Sequence, residues 1–273
     1  MTNQMFPADR RSFAKQLGLA SAGIAAFFAA AEKGMAAITD VDIVQFALNL
    51  EYLEAEFYTV ARTGKTIDSM GIGIDGTGPT GPTTGGQKVT FIENSTLAMS
   101  ADQIGADERA HVALLRKTLQ SLGIQPVAKP MINLNALGTG FESQEAFIAL
   151  ARAFEDVGVS AYGGAAPLIQ DKTILGVAAR ILATEAEHTG NLRLHAALYQ
   201  AQTKALDAVD MPPLPTGMKY ISVDSNGLTA VRTPGQVLNI VYGGQVNAVS
   251  GGFFPMGVNG GINMSSAAAT ATS

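Results

Sequence analysis

Four stretches of the chain set apolar residues along one side of a 3.6-residue period, the pattern of helices that bury one face. The first covers 39–63. With Glu51 as origin, Val44, Ala47, Leu48 and Tyr58 fall within about 60° of it, while Gln45, Asn49, Tyr52 and Glu56 take the other side. Thr39, with Asp42 three residues on, marks its start. The second covers 89–122, with a break near Ser95–Ser100. It carries Ile104, Val112, Leu115 and Leu119 on one stripe and stops at Gly123. The third covers 142–168. Pro167 and Asp171 punctuate the chain before a fourth at 172–206. This pattern predicts an all-α protein, with a four-helix bundle over 39–206 and a C-terminal extension over 207–273.

The connections read differently. Residues 64–87, GKTIDSMGIGIDGTGPTGPTTGGQ, are dense in Gly and Pro and predict an irregular loop inserted into the bundle. GIGIDG (71–76) has the spacing of a dinucleotide-binding turn, but no strand precedes it and no helix follows. GKT (64–66) ends like a phosphate loop, yet Thr59 stands where the first glycine belongs. Residues 124–140 form a linker with Pro126 and Pro130. In the extension, KYISVDSNGLTAVR alternates around Asn226-Gly227 and predicts a short hairpin. Thr233, Pro234 and Gln236 open a short helix that closes at Gly243. A Gly-rich tail follows, pinned by Phe253 and Phe254.

Composition narrows the chemistry. The 273 residues are 47% hydrophobic and 15% charged, enough to build a sizeable core. With 18 basic and 23 acidic residues, net −5, the chain lacks the basic surplus of a nucleic-acid binder. No cysteine is present, so disulfides and thiolate metal sites are excluded. Any metal must sit among oxygen and nitrogen donors, and the histidines are His111, His188 and His195.

The first 31 residues read as an export signal. Arg10 and Arg11 precede Phe13 and Lys15, and an Ala/Gly-rich apolar run ends in Ala29 and Ala31. The run is shorter than the roughly 20 residues a membrane span needs. The expectation is a twin-arginine signal peptide cleaved near residue 31, recognition by the twin-arginine export machinery, and a periplasmic or extracellular protein. That route carries folded passengers, which suits a protein that collects its cofactor in the cytoplasm.

The helical stripes also carry charge. Glu51 and Glu54 point into the apolar arc of the first helix, and Glu108 and His111 share the stripe of the second. A buried charge is costly unless it is paired or holds a metal. The chain then repeats itself. ALNLEYLEAEFY (47–58) matches ARAFEDVGVSAY (151–162) at Ala47/Ala151, Glu51/Glu155 and Tyr58/Tyr162. ADERAHVALLRK (106–117) matches ATEAEHTGNLRL (183–194) in its Ala, Glu, His, Leu and Arg. The glutamates lie 57 residues apart in the first half and 30 in the second, and the loop insertion supplies the difference. Each half therefore offers one Glu and one Glu-x-x-His, whose i and i+3 members share a helix face. Four carboxylates and two imidazoles form the ligand set of a di-iron or di-manganese centre inside a four-helix bundle, and two divalent ions would cancel the four charges.

DVDIVQFALNLEYLEAEFY, DERAHV and RTPGQVLNIVYGG…GGFFPMGVNG resemble the ferritin-like superfamily. They are most similar to the ferritin-like domain family that includes plant desiccation-related proteins and exported bacterial relatives, over roughly residues 39–264. The resemblance implies ligands at Glu51, Glu108, His111, Glu155, Glu185 and His188. Glu54, some 60° round the helix from Glu51, is an alternative first-helix ligand, and its counterpart in the second half is Gly158. The implied cofactors are two divalent ions, iron or manganese. Glu51 and Glu155 would each cap one ion, Glu108 and Glu185 would bridge them, and each histidine would bind one.

Tyr58 and Tyr162, two turns from their glutamates, could donate hydrogen bonds to ligands or pass electrons. Arg116 and Arg193 sit at stripe edges and read as surface salt-bridge partners, with pairing to a ligand carboxylate as the alternative. His195, about 10 Å along the helix from His188, reads as structural. The small residues Ala47, Ala55, Ala151, Gly158 and Val159 leave room near the site or serve close packing. Three functions stay open. One is a di-metal oxidoreductase acting on peroxide, O2 or Fe(II), the second a metal buffer or store, and the third a stress-protective protein whose metal holds the bundle together. A homo-oligomer is compatible with each, although the extension argues against a storage cage.

Overall fold

The computed structural model describes residues 38–270. The expected signal segment 1–31 lies outside the described residues. Helices α1 (Asp40–Thr63), α2 (Thr96–Ser121), α3 (Gln144–Ala165) and α4 (Lys172–Leu198) form the bundle. α1 packs most extensively on α2 and α3 on α4, so each half is a helix pair. The bundle and the C-terminal extension cluster together as one unit.

Side chains fix where each helix begins. Thr39 accepts from the amide of Asp42, whose carboxylate accepts from the Thr39 amide in return, closing a capping box. Ser95, Ser143 and Asp171 cap the other three through their side-chain oxygens. α1 ends at Gly64, in the left-handed region at φ 71°.

Two boundaries differ from the periodicity. α2 starts at Thr96, not at residue 89. Ser95 is its cap, and Asn94 before it is left-handed at φ 56°, so no helix crosses this point. α4 stops at Leu198, not at residue 206. Gln200 turns left-handed at φ 55°, and the Ala201 amide reaches back to the carbonyl of Ala196.

The insertion is more ordered than its composition suggests. Thr83–Thr84 (β1) pairs in parallel with Ile132–Asn133 (β2). Gly76 packs so closely on the linker that a Cβ there would lie 2.1 Å from the Pro126 carbonyl oxygen. Glu56 is fully buried and holds this layer: it accepts from the Ile67 amide and the Thr83 hydroxyl and pairs with Lys129 at 3.2 Å. Asn49 and Tyr52, also on the side of α1 opposite the apolar arc, are buried as well, by Asn259 of the tail and by Val127.

The expected hairpin at 219–232 does not form. The turn itself closes: the Asp224 carboxylate accepts from the amides of Asn226 and Leu228. Its flanks, however, bind the bundle in place of each other. Arg193 takes the carbonyls of Lys219 and Tyr220, and the Arg232 amide donates to Ser160 O. The short helix appears as α5 (Pro234–Val241) with its Thr233–Gln236 capping box. Phe253 and Phe254 are buried, Phe253 with its ring edge-on to Phe154.

Candidate metal centre

All seven carboxylate and imidazole candidates come from the middle of the bundle and are buried. Glu51 and Glu54 project from α1, Glu108 and His111 from α2, Glu155 from α3, and Glu185 and His188 from α4. Two quartets of donor atoms result, each with its members within 4.8 Å of one another. One is Glu51, Glu108, His111 and Glu185; the other is Glu108, Glu155, Glu185 and His188. Glu108 and Glu185 belong to both. Glu54 belongs to neither and occupies the space opposite Gly158, where a Cβ would lie 3.5 Å from its carboxylate.

The donor set fits a pair of metal ions. His111 Nδ1 lies 3.2 Å from Glu51 and 3.3 Å from both Glu108 and Glu185. His188 Nδ1 lies 3.1 Å from both Glu108 and Glu155. One ring nitrogen cannot satisfy two or three carboxylates at once, but donors about 2.0–2.2 Å from a shared ion lie roughly 3 Å apart when at right angles. Moreover Glu51 Oε2, Glu108 Oε1 and both oxygens of Glu185 are buried with no well-formed hydrogen bond among the described residues. Anionic oxygens left so cost far more than their packing returns, unless a cation meets them.

The tyrosines complete the site across the duplication. Tyr162 Oη donates to Glu51 Oε1 and Tyr58 Oη to Glu155 Oε1, each at 2.5 Å. Each half's tyrosine thus orients the other half's glutamate, leaving the second oxygen facing the quartet. Burial and the partner carboxylate push both phenols well above their ordinary range, so they remain hydrogen-bond donors.

The clustered carboxylates favour positive charge at this site. Burial opposes charging the histidines, but the surrounding carboxylates outweigh it, raising His188 to about 11 and His111 further. Burial and neighbouring carboxylates raise Glu108 to about 7 and hold Glu54 and Glu185 well above the usual range. Burial also acts on Glu51, but the His111 charge and its hydrogen bonds keep it low.

Three other sequence candidates lie elsewhere. Arg116 makes no salt bridge among the described residues; it donates to Tyr52 Oη at 2.6 Å and to the Asp75 carbonyl, tying α2 to the insertion. Arg193 is buried, not at the surface. It pairs with Asp156 at 2.9 Å and binds the backbone of Met211, Lys219 and Tyr220. His195 is buried against Tyr199, outside both quartets, and burial lowers its basicity. Periodicity gave no sign of Arg152, Asp156, Asp207, Asp210 and Arg232. These form the ionic network that binds the extension to α3 and α4. Arg152 and Asp156, one turn apart beside Glu155, were the available signal.

A four-helix bundle whose two halves supply matching Glu and Glu-x-x-His donors defines a ferritin-like carboxylate protein. The profile of the ferritin-like domain matches residues 39–198, and the chain belongs to that family. Among curated proteins it is similar to the ferritin-like catalase Nec2 of Nesocodon mauritianus, with 23% identity over an alignment covering 82% of this chain and 84% of that protein.

Proposed function

We propose that the chain is an exported di-metal protein that holds two manganese or iron ions between its helices and consumes peroxide as a protective enzyme. The observation that carries this reading is the sharing of Glu108 and Glu185 by two quartets, each completed by one carboxylate and one imidazole. In this assignment Glu51 and His111 would hold one ion and Glu155 and His188 the other, with Glu108 and Glu185 within reach of both. Such a pair would supply a two-electron change toward a small oxygen species.

The chain's residues set the conditions. Tyr162 and Tyr58 keep the capping carboxylates turned inward. Gly158 lets Glu185 take its present position, since a Cβ there would lie 2.7 Å from Glu185 Oε2. Burial of all six donors strengthens their interaction with a cation and keeps bulk water away. The name of the related catalase supports peroxide as substrate over Fe(II) or O2.

The test loads the protein with Mn(II) or Fe(II) and follows peroxide loss and O2 release. Turnover should exceed that of the same concentration of free ion by orders of magnitude. If neither form outpaces the free ion and metal removal changes only the melting temperature, the metal is structural and the enzyme reading falls.

A further inference from the structure

The centre has two unlike approaches. On the histidine side, His188 Nε2 lies 3.3 Å from Asp107, whose side chain is 38% exposed, so a polar group links the site to solvent. A cavity of about 40 Å³ reaches the centre at Glu51, Glu54 and Tyr162, and neither histidine lines it. Its wall is aliphatic, with Ala47, Leu50, Ala161, Ala165, Val177 and Ala178 among the lining residues. Thr118 and Arg232 are the remaining polar side chains of the wall, and the Arg232 guanidinium is engaged by Asp207 and Ser160. Phe57, absent from the cavity lining, packs on Phe141, Phe147 and Phe154 with ring centres 5.1–5.3 Å apart.

Size does not keep water out of this cavity, since about 10–15 Å³ suffices for one molecule. Chemistry keeps it to the inner end, at Glu51, Glu54 and Tyr162: a water needs two to four polar partners, and elsewhere the wall offers only Thr118, bonded to the Leu114 carbonyl, and the engaged Arg232. Hydrogen peroxide, with two O–H donors, meets the same penalty. Dioxygen has no donor to satisfy and is small enough to fit.

We propose that this cavity is the exit for dioxygen, an inference that rests on the peroxide-consuming reading. In that reaction one peroxide loses two electrons and becomes O2, while a second gains them and becomes two waters. Its O–O bond breaks, and the two protons released from the first peroxide join those of the second. Peroxide and water use the polar side at Asp107, and the apolar product leaves along the alanines. Gly158 stands at the inner end, where a Cβ would lie 2.7 Å from Glu185 Oε2.

Xenon, an apolar gas, reports the cavity independently of activity. Crystals of the metal-loaded protein pressurised with xenon should show an atom beside Ala161, and Ala161→Leu should remove it. With metal content unchanged, Ala161→Leu should lower kcat by about threefold or more while leaving kcat/KM in place, as obstructed product release requires. Ala161→Val serves if the larger change prevents folding. Ordered water in place of xenon would overturn the proposal, and so would a loss confined to kcat/KM, which marks a peroxide entry. Xenon bound in a protein without peroxide turnover would end the exit role together with the activity, and would leave an apolar cavity of another purpose.

Discussion

Tyr162 on α3 donates its phenol hydrogen to Glu51 on α1 at 2.5 Å, and the same bond runs the other way from Tyr58 to Glu155. The duplication is therefore interlocked: neither half orients its own capping carboxylate. Removing one hydroxyl leaves a buried carboxylate oxygen unpaired, a loss of about 1–3 kcal/mol. Tyr162→Phe and Tyr58→Phe should each lower the unfolding free energy by that amount and lower turnover, while metal content stays near the wild-type value. Denaturant titration with elemental analysis checks this; unchanged stability and turnover in both variants would show that the bonds do not position the ligands.

Gly158 offers a sharper contrast. In an ordinary helix interior Gly→Ala stabilises by about 0.5–1 kcal/mol. Here the added Cβ meets the flexible end of Glu185, which can move without disturbing the backbone. Gly158→Ala should fold with undiminished helicity and bind metal more weakly, read by circular dichroism and metal titration. Equal affinity would mean that Glu185 does not need its present position.

Arg193 joins α4 to α3 through Asp156 and to the extension through three backbone carbonyls. Breaking a buried ion pair by deleting one partner costs about 3–5 kcal/mol. Arg193→Ala should lose that much stability and expose the 209–230 segment to protease before the bundle. Cleavage at the wild-type rate would separate the network from the anchoring of the extension.

The proposed export rests on Arg10 and Arg11. Replacing both by Lys should leave the full-length precursor in the cytoplasm, detected by cell fractionation. Normal delivery outside the cytoplasm would remove the twin-arginine assignment.

Much of the bundle and the candidate site was legible because helical period and donor chemistry are local signals. Glu108 and His111 are one turn apart, and the 106–117 and 183–194 copies pointed to the same face twice. The crossing of the tyrosines was not legible, since Tyr58 and Glu155 are 97 residues apart and meet only through helix packing. The second buried side of α1 was hidden for a similar reason. Asn49, Tyr52 and Glu56 look solvent-facing until the insertion and tail cover them. The Asn226-Gly227 turn is legible in the sequence, but a hairpin also needs free flanks, and Arg193 and Ser160 take them.

Glu51, Glu108, His111, Glu155, Glu185 and His188 are the proposed ligands of two ions. Elemental analysis of the wild type and of His111→Ala, His188→Ala and the double variant, each paired with a melting temperature, tests this assignment most directly. The wild type should carry two manganese or iron ions per chain. Each single variant should lose metal and melting temperature together, because metal binding is linked to folding, and the double variant should hold none firmly. Two ions per chain retained in the double variant, or no stoichiometric metal in the wild type, would contradict it.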